Sequence, residues 1–289
     1  MTAIVAWIRS LGGNVDELCI AADSRLSGDG KNIDGCPKIL PLPRGDIALC
    51  FAGETEFAYP FLQQLYHTAL SHRSARTRGL DITKYKSHII NILNDIVSRI
   101  DTSLLHGSRK TIREARIPKV TFLLCGYSWI EKGFKIWTIC YREELKKFHS
   151  EHAGSICGRK RSIAYGGDQA AALKRATGNL LRSRRGYKFG TDPLDFEPIE
   201  ALASLLEQSG ADSTIGGPPQ LIKLYQHLNT DIIPVYWPRG QRQKAAYLGR
   251  PLLDYERIDD WVLDLLTLDR HPLSPGTRET PSLGAVPAP

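Results

Sequence analysis

The amino-acid sequence predicts an α+β fold, a four-layer αββα sandwich in which two stacked antiparallel sheets are flanked by helix pairs. Three observations carry that expectation. Segments with strand character fall in two blocks, over residues 3–51 and 120–167. Each block is followed by two segments whose apolar residues recur at helical spacing. A chain of 289 residues with 42% hydrophobic content is also long enough to bury one substantial core.

The first block opens with a strand from Ala3 to Ile8, a Gly12-Gly13-Asn14 turn and a second strand from Leu18 to Ala22, a hairpin. Ile47 to Phe51 adds an apolar strand behind Pro43-Arg44-Gly45-Asp46. Phe57, Phe61, Leu62, Leu65 and Ala69 mark a helix over 55–71, and Ile89, Ile90, Leu93, Ile96 and Ile100 mark a second over 82–100. Strands return at Val120 to Tyr127 and Phe134 to Tyr141, joined by Glu131-Lys132-Gly133, and a short strand leads into Tyr165-Gly166-Gly167. Helices over 169–181 and 198–208 follow. The latter opens on Pro198, which suits a first helical turn because the N–H it lacks has no intrahelical partner there.

Gly216-Gly217-Pro218-Pro219 then bends the chain into β segments at Leu221 to Leu224 and Ile232 to Tyr236. The expected domain spans 2–250. An appended C-terminal helix from about Asp254 to Leu268 occupies an extension assigned to 251–270. The tail, 271–289, is rich in Pro, Gly, Ser and Thr and is expected to be disordered.

Net charge is +7, and the excess is clustered at Arg73 to Arg78, Arg109 to Arg116, Arg159-Lys160-Arg161 and Arg182 to Lys188. Such patches can attract nucleic acid or an acidic partner. No RRM-like aromatic signature, zinc-finger spacing or heptad register accompanies them, so a solvated basic surface is expected and nucleic acid is not an expected partner. No apolar run is long enough to span a bilayer and no basic segment precedes an apolar one at the start, so no membrane association is expected and the expected location is cytoplasmic.

The six cysteines, Cys19, Cys36, Cys50, Cys125, Cys140 and Cys157, are widely spaced without a C-x-x-C pair and are read as reduced thiols, several of them buried. His149 and His152, with Cys157 behind them, lack diagnostic ligand spacing and are expected on an exposed loop. No cofactor and no metal are expected.

Thr2 carries a hydroxyl and, once Met1 is removed, a free α-amine on the same residue, so a nucleophile and its base share one backbone. An unperturbed α-amine titrates near ~7.7–8.0, close enough to neutrality to serve as a base. Seven segments stand around that idea in order: Met1-Thr2-Ala3-Ile4-Val5, Ala21-Ala22-Asp23-Ser24-Arg25, Lys38-Ile39 and Leu49-Cys50-Phe51-Ala52-Gly53-Glu54-Thr55, then Leu124-Cys125-Gly126-Tyr127, Tyr165-Gly166-Gly167-Asp168-Gln169-Ala170 and Asp212-Ser213-Thr214-Ile215-Gly216-Gly217. Apart from a longer first hairpin, their order and spacing over residues 2–240 resemble the N-terminal-nucleophile hydrolases, and within them the proteasome β-subunits and the bacterial HslV-type peptidase.

The resemblance implies that Thr2 Oγ attacks a scissile carbonyl while its own amine accepts the proton. It implies that Lys38 favours the alkoxide, that Asp23 keeps Lys38 charged, that the Gly53 N–H is an oxyanion donor and that Asp212 packs under the nucleophile. Arg25 is expected to be structural. Leu26, Cys36, Phe51 and Thr55 are expected to line a pocket for an apolar residue before the cut, with Ser27 offering backbone pairing to an extended peptide. The sequence departs from the family at two serine positions, one falling on Tyr165 or Gly167 and the other on Ile215.

The expected function is that of a proteasome-like threonine peptidase or amidase acting on peptide or protein substrates, assembled as a homo-oligomeric ring or stack. Without a G-x-x-x-x-G-K-[ST] loop, any ATP hydrolysis is expected from a separate ATPase or regulatory partner. The alternative is a catalytically degenerate scaffold of the same fold.

Overall fold

The computed structural model describes residues 2–12, 15–28, 30–103, 107, 111, 117–153, 163–184, 186–187, 192–227, 229–242, 244–258 and 261–272. The chain opens with the expected hairpin, β1 (Ile4–Gly12) and β2 (Val15–Ala22), in the register Ile4↔Ala22. A short ribbon, β3 (Leu26–Gly28) and β4 (Lys31–Ile33), precedes β5 (Ile39–Pro41) and β6 (Ile47–Gly53). Helices α1 (Thr55–Ser71), α2 (Arg73–Arg76) and α3 (Ile82–Ser98) follow, then β7 (Val120–Ser128), β8 (Gly133–Arg142), β9 (Lys147–His152) and β10 (Ile163–Gly166). After α4 (Ala170–Ser183) and α5 (Glu197–Glu207) come β11 (Gln220–Tyr225), β12 (Thr230–Ile232), β13 (Val235–Tyr236), β14 (Ala245–Tyr247), β15 (Arg250–Pro251), β16 (Trp261–Asp264) and β17 (Arg270–Pro272).

Two five-stranded sheets, in the orders β10-β1-β2-β11-β12 and β5-β6-β7-β8-β9, are antiparallel throughout. The fold is mixed α+β and compatible with a sandwich. Strand alternation divides the core. Ile4, Ala6, Leu18, Ile20 and Ile222 of the first sheet pack with Ile39, Ala48, Cys50, Leu123 and Cys125 of the second. Their neighbours Val5, Trp7, Cys19 and Ala21 pack instead with Leu173 and Leu181 of α4 and Ile199 and Leu202 of α5. Leu49, Phe51, Phe122 and Leu124 pack with Phe57, Phe61 and Leu65 of α1 and Ile89 and Leu93 of α3. Strands with both faces covered need apolar residues at every position, which is why 47–52 and 120–125 read as nearly unbroken apolar runs.

The C-terminal helix expected over 254–268 is not formed. β16 runs parallel to β13, with Val235↔Leu263, and completes a third sheet in the order β15-β14-β13-β16-β17. Val262, Leu263, Asp264 and Leu265 are all buried in succession, whereas Trp261 and Leu266 at either end are exposed. Four consecutive buried positions suit a strand covered on both faces and defeat a one-sided helix. The Asp264 carboxylate then closes a turn, accepting from Leu266 N at 2.9 Å, while Leu268 N donates to Asp264 O at 2.7 Å.

The expected boundary at 250 therefore cuts through a sheet. Of the expected tail, His271 and Pro272 belong to β17, and 273–289 lie outside the described residues. His149 and His152 lie on strand β9 rather than a loop, because their segment pairs with β8 (Cys140↔His149, Trp137↔His152); Cys157 is outside the described residues. Cys19, Cys36, Cys50, Cys125 and Cys140 are free thiols, the first, third and fourth buried. The basic clusters at Arg159 to Arg161 and, Thr111 apart, at 109–116 lie outside the described residues for the most part or wholly. Among the described residues no helix is long and apolar enough to cross a membrane.

Candidate active site

The register that pairs Ile4 with Ala22 carries on one step past the ends of β1 and β2. Asp23 N donates to Ala3 O at 3.1 Å, and Asp23 Oδ1 accepts from Ala3 N at 3.0 Å. Asp23 is thus pinned beside Thr2 by its own backbone and side chain together. Lys38 arrives from the second sheet, where its carbonyl accepts from Phe51 N at 3.1 Å. Gln220, at the start of β11, holds the approach: its Oε1 accepts from Lys38 N at 3.0 Å, and its Nε2 donates to Cys36 O at 2.8 Å and Asp23 O at 3.3 Å.

These anchors bring three polar side chains together in the interior. Lys38 Nζ lies 2.9 and 3.0 Å from the two Asp23 carboxylate oxygens and 3.1 Å from Thr2 Oγ1. Lys38 and Asp23 are 0% exposed and Thr2 2%. Arg25 N and Gly216 N also donate to Asp23, at 3.2 and 3.4 Å, which is how a buried carboxylate is kept solvated without water. Burial pushes the Lys38 ammonium below the ordinary lysine range, against the opposing pull of Asp23 and, beyond it, Asp168. Burial likewise pushes Asp23 upward, opposed by Lys38 and the Ala3 and Arg25 amides. For the pair, desolvation decides the direction: Lys38 releases a proton more readily than an exposed lysine while still presenting a donor to Thr2 Oγ1.

Thr2 borders a cleft of about 910 Å³ whose walls include Leu26, Ser27, Ala52, Gly53, Glu54, Thr55, Lys119, Gly167 and Asp168. Gly53 has φ +120°, and a Cβ there would stand 2.1 Å from Lys119 O, so only glycine fits. Of the residues singled out in the sequence, Thr2, Asp23, Lys38 and Gly53 meet here, and Leu26, Ser27 and Thr55 line the cleft. Phe51 does not line it. Alternation along β6 turns its ring toward α1, where it sits 5.1 Å from Tyr59 in the core. Cys36 is half-buried outside the lining, its Sγ directed at Ile33 O at 3.7 Å, with burial raising its pKa.

Asp212 does not join the cluster. It is exposed on the turn gripped by Arg25, whose Nη1 reaches the carbonyls of Gly210, Ala211 and Ser213 at 3.2, 3.3 and 3.1 Å while Nε pairs with Asp34. Drawing the turn outward by its backbone carbonyls leaves Ile215 in the core and Asp212 facing solvent. Arg25 is accordingly structural. Tyr165 packs against the α4–α5 side of the first sheet, where burial raises its pKa despite a hydrogen bond with Thr177.

The carboxylate that does touch Thr2 is Asp168: its Oδ1 accepts from Thr2 N at 2.5 Å. An acid directly after Gly166-Gly167 and before a helix was the available signal, but only the fold shows which backbone nitrogen that acid meets. Gln220, a polar residue at the head of a largely apolar strand, left a similar trace. Among the described residues no group of three or more His, Cys, Asp or Glu side chains could hold a metal ion. No protein-family model matches the chain, and no curated protein matches it significantly.

Proposed function

We propose that this protein is a threonine-type amide hydrolase of the N-terminal-nucleophile kind, built as a four-layer αββα sandwich, in which cleavage of the Met1–Thr2 bond unmasks the nucleophile. One observation carries the reading: a buried lysine, held by a buried aspartate, directs its ammonium at the hydroxyl of Thr2 from 3.1 Å on the wall of a cleft. The layering is supported by three core clusters, one between the two sheets and one on the outer face of each, a fourth belonging to the third sheet.

In the proposed reaction the freed Thr2 amine takes the Oγ proton, directly or through one water, and Lys38 stabilises the alkoxide as it attacks an amide carbonyl. Gly53 N–H is the proposed oxyanion donor. Glu54 N bonds to Lys119 O and Phe51 N to Lys38 O, so the alternation of an antiparallel ladder turns Gly53 N away from β7, on the side where β5 has ended and the cleft begins. The ammonium then protonates the leaving amine, and a water activated by the same amine releases the acyl group from Thr2. An extended peptide beside Ser27 suits an exposed ribbon, and Leu26 with Phe57 gives the cleft an apolar wall for the residue before the cut. Proteasome-like assembly into a homo-oligomeric ring or stack, and a separate ATPase or regulatory partner, belong to the same proposal.

The test is a chain that begins at Thr2, assayed with fluorogenic peptide amides. Thr2→Ala is expected to lower turnover by at least about three powers of ten, since it removes the oxygen that Lys38 Nζ faces at 3.1 Å. Equal cleavage by parent and mutant assigns the activity elsewhere. A scaffold without turnover is the second reading, favoured by Ile215 in the core and the outward Asp212; a parent chain with a free Thr2 that cleaves no amide at any pH establishes it.

A further inference from the structure

The Thr2 nitrogen meets a carboxylate, and the contact is built from both sides. Asp168 sits in the turn between β10 and α4. Gly167, at φ +88°, lets that turn pass so close to the N-terminal strand that a Cβ there would lie 2.0 Å from Thr2 O. Gln169 N donates to the same oxygen at 3.3 Å. The Thr2 peptide is thereby clamped, and its nitrogen is presented to Asp168 Oδ1 at 2.5 Å.

While Met1 is attached that nitrogen is an amide; once the bond is cut it is an amine. A carboxylate in contact with an amine favours the ammonium, since an opposite charge within about 4–6 Å typically displaces a pKa by about 1–3 units. The other charged groups facing Thr2 are Lys38 and Asp23 on its buried side, and Glu54, Glu56 and Lys119 on the cleft wall. Lys38 opposes the ammonium, but Asp23 pairs with it at 2.9 Å, and Lys119 lies 3.6 Å from Glu54. Asp168 is the charged side chain in direct contact with the nitrogen.

We propose that Asp168 is the counter-ion of the Thr2 α-amine, holding it as an ammonium at neutral pH so that it becomes a competent base only under alkaline conditions. This rests on the reading of Thr2 as an N-terminal nucleophile. A hydroxyl at this place would position the amine without biasing its charge; the carboxylate positions it and keeps it protonated, so the site is assembled but idle near pH 7.

The test uses the full chain beginning at Thr2, with its first residue verified by intact mass. Asp168→Asn keeps an oxygen acceptor of the same shape and removes the charge; Asp168→Ser gives a hydroxyl in case the amide disturbs the turn. Two readouts are compared: titration of the Thr2 amine itself, followed by the ¹⁵N shift of labelled threonine or the pH dependence of its carbamylation by cyanate, and the pH profile of kcat/KM on a peptide amide. The parent amine is expected to titrate about one unit or more above both variants. The gap should shrink at high salt because Asp168 is exposed. The acid limb of kcat/KM should move to lower pH in the variants by the same interval. Identical amine titration in all three proteins overturns the proposal. A displaced titration with no turnover in any of them keeps Asp168 as the counter-ion and removes the hydrolase reading instead.

Discussion

Lys38 and Arg44 flank the same short strand, and each forms an ion pair whose side chains are both 0% exposed, yet the two pairs are built for opposite ends. Arg44 holds Asp46, two residues away, through Nε at 2.7 Å and Nη2 at 2.8 Å, and Nη2 also donates to Leu80 O at 2.8 Å. The Tyr85 ring covers the guanidinium at 4.6 Å. That pair is a rivet: local, planar and shut, tying the β5–β6 turn to the start of α3. Lys38 instead reaches Asp23 from another sheet and directs a donor at Thr2 Oγ1 beside a cleft. A planar fork locks a turn, whereas an ammonium can hold one partner and still serve another. Burial alone does not distinguish the two pairs; what lies on the far side of the cation does, a carbonyl for Arg44 and the Thr2 hydroxyl for Lys38.

The largest expected difference between the two pairs is in turnover. Lys38→Met is expected to cost about three powers of ten in kcat/KM, whereas Arg44→Met should leave turnover per folded molecule within about threefold of the parent. In stability the order reverses. Arg44→Met strands Asp46 in the interior and should cost about 3–5 kcal/mol, read from urea unfolding. Lys38→Met should cost less, because Asp23 keeps its bonds from the amides of Ala3, Arg25 and Gly216. An inactive Arg44 variant that remains fully folded breaks the comparison.

A smaller effect belongs to the glycine that seats the Asp168 turn against Thr2. Gly167→Ala meets Thr2 O and a left-handed backbone at once, and is expected to cost about 1–3 kcal/mol by denaturant unfolding together with most of the turnover.

The smallest lies beside the rivet. Asp81 caps α3, accepting from Thr83 N at 3.0 Å, and also accepts from the Ser128 hydroxyl at 3.0 Å. Burial raises its pKa, but the Thr83, Ile130 and Ser128 donors outweigh this and hold it below the ordinary aspartate value of 3.8. With the folded value below the unfolded one, its contribution is present above pH 3.8 and is lost as the pH falls through the folded value. Asp81→Ala should cost about 1 kcal/mol at pH 7 and flatten the acid limb of the stability curve, without moving the pH profile of turnover.

The elements that could be read in advance were those whose burial follows one rule along the chain. The four long helices have apolar residues at helical spacing, the hairpin and β6 to β8 have strand-length apolar segments bounded by turns, and their positions in the sequence carried over. The segment over 254–268 did not, because Val262, Leu263 and Leu265 fit either a helix stripe or a strand covered on both faces. The choice was made by β13 and the residue before it, Pro234, whose carbonyl accepts from Leu263 N at 2.8 Å. At the site, Thr2, Asp23, Lys38 and Gly53 were legible because the segments that carry them stand in an order and spacing that resemble the N-terminal-nucleophile hydrolases. Phe51 and Asp212 were misplaced for physical reasons: the parity of a strand turned one into the core, and Arg25's grip on three carbonyls turned the other out.

The sequence by itself determined which residue types stand at the ends of the strands: a threonine ahead of β1, an aspartate after β2, a lysine before β5 and a glycine closing β6. Local pattern places those strand ends, since they are where an apolar run must yield to a turn, and the order of the segments around them is what singled the four residues out. Only the tertiary structure decided which of them meet. Asp168 and Thr2 are 166 residues apart in sequence and one hydrogen bond apart in space. That contact exists because β10 pairs with β1, the strand that Thr2 leads into, and a glycine at positive φ lets the two backbones touch. Long-range pairing of strands fixes such a meeting, and no local pattern in the chain encodes it.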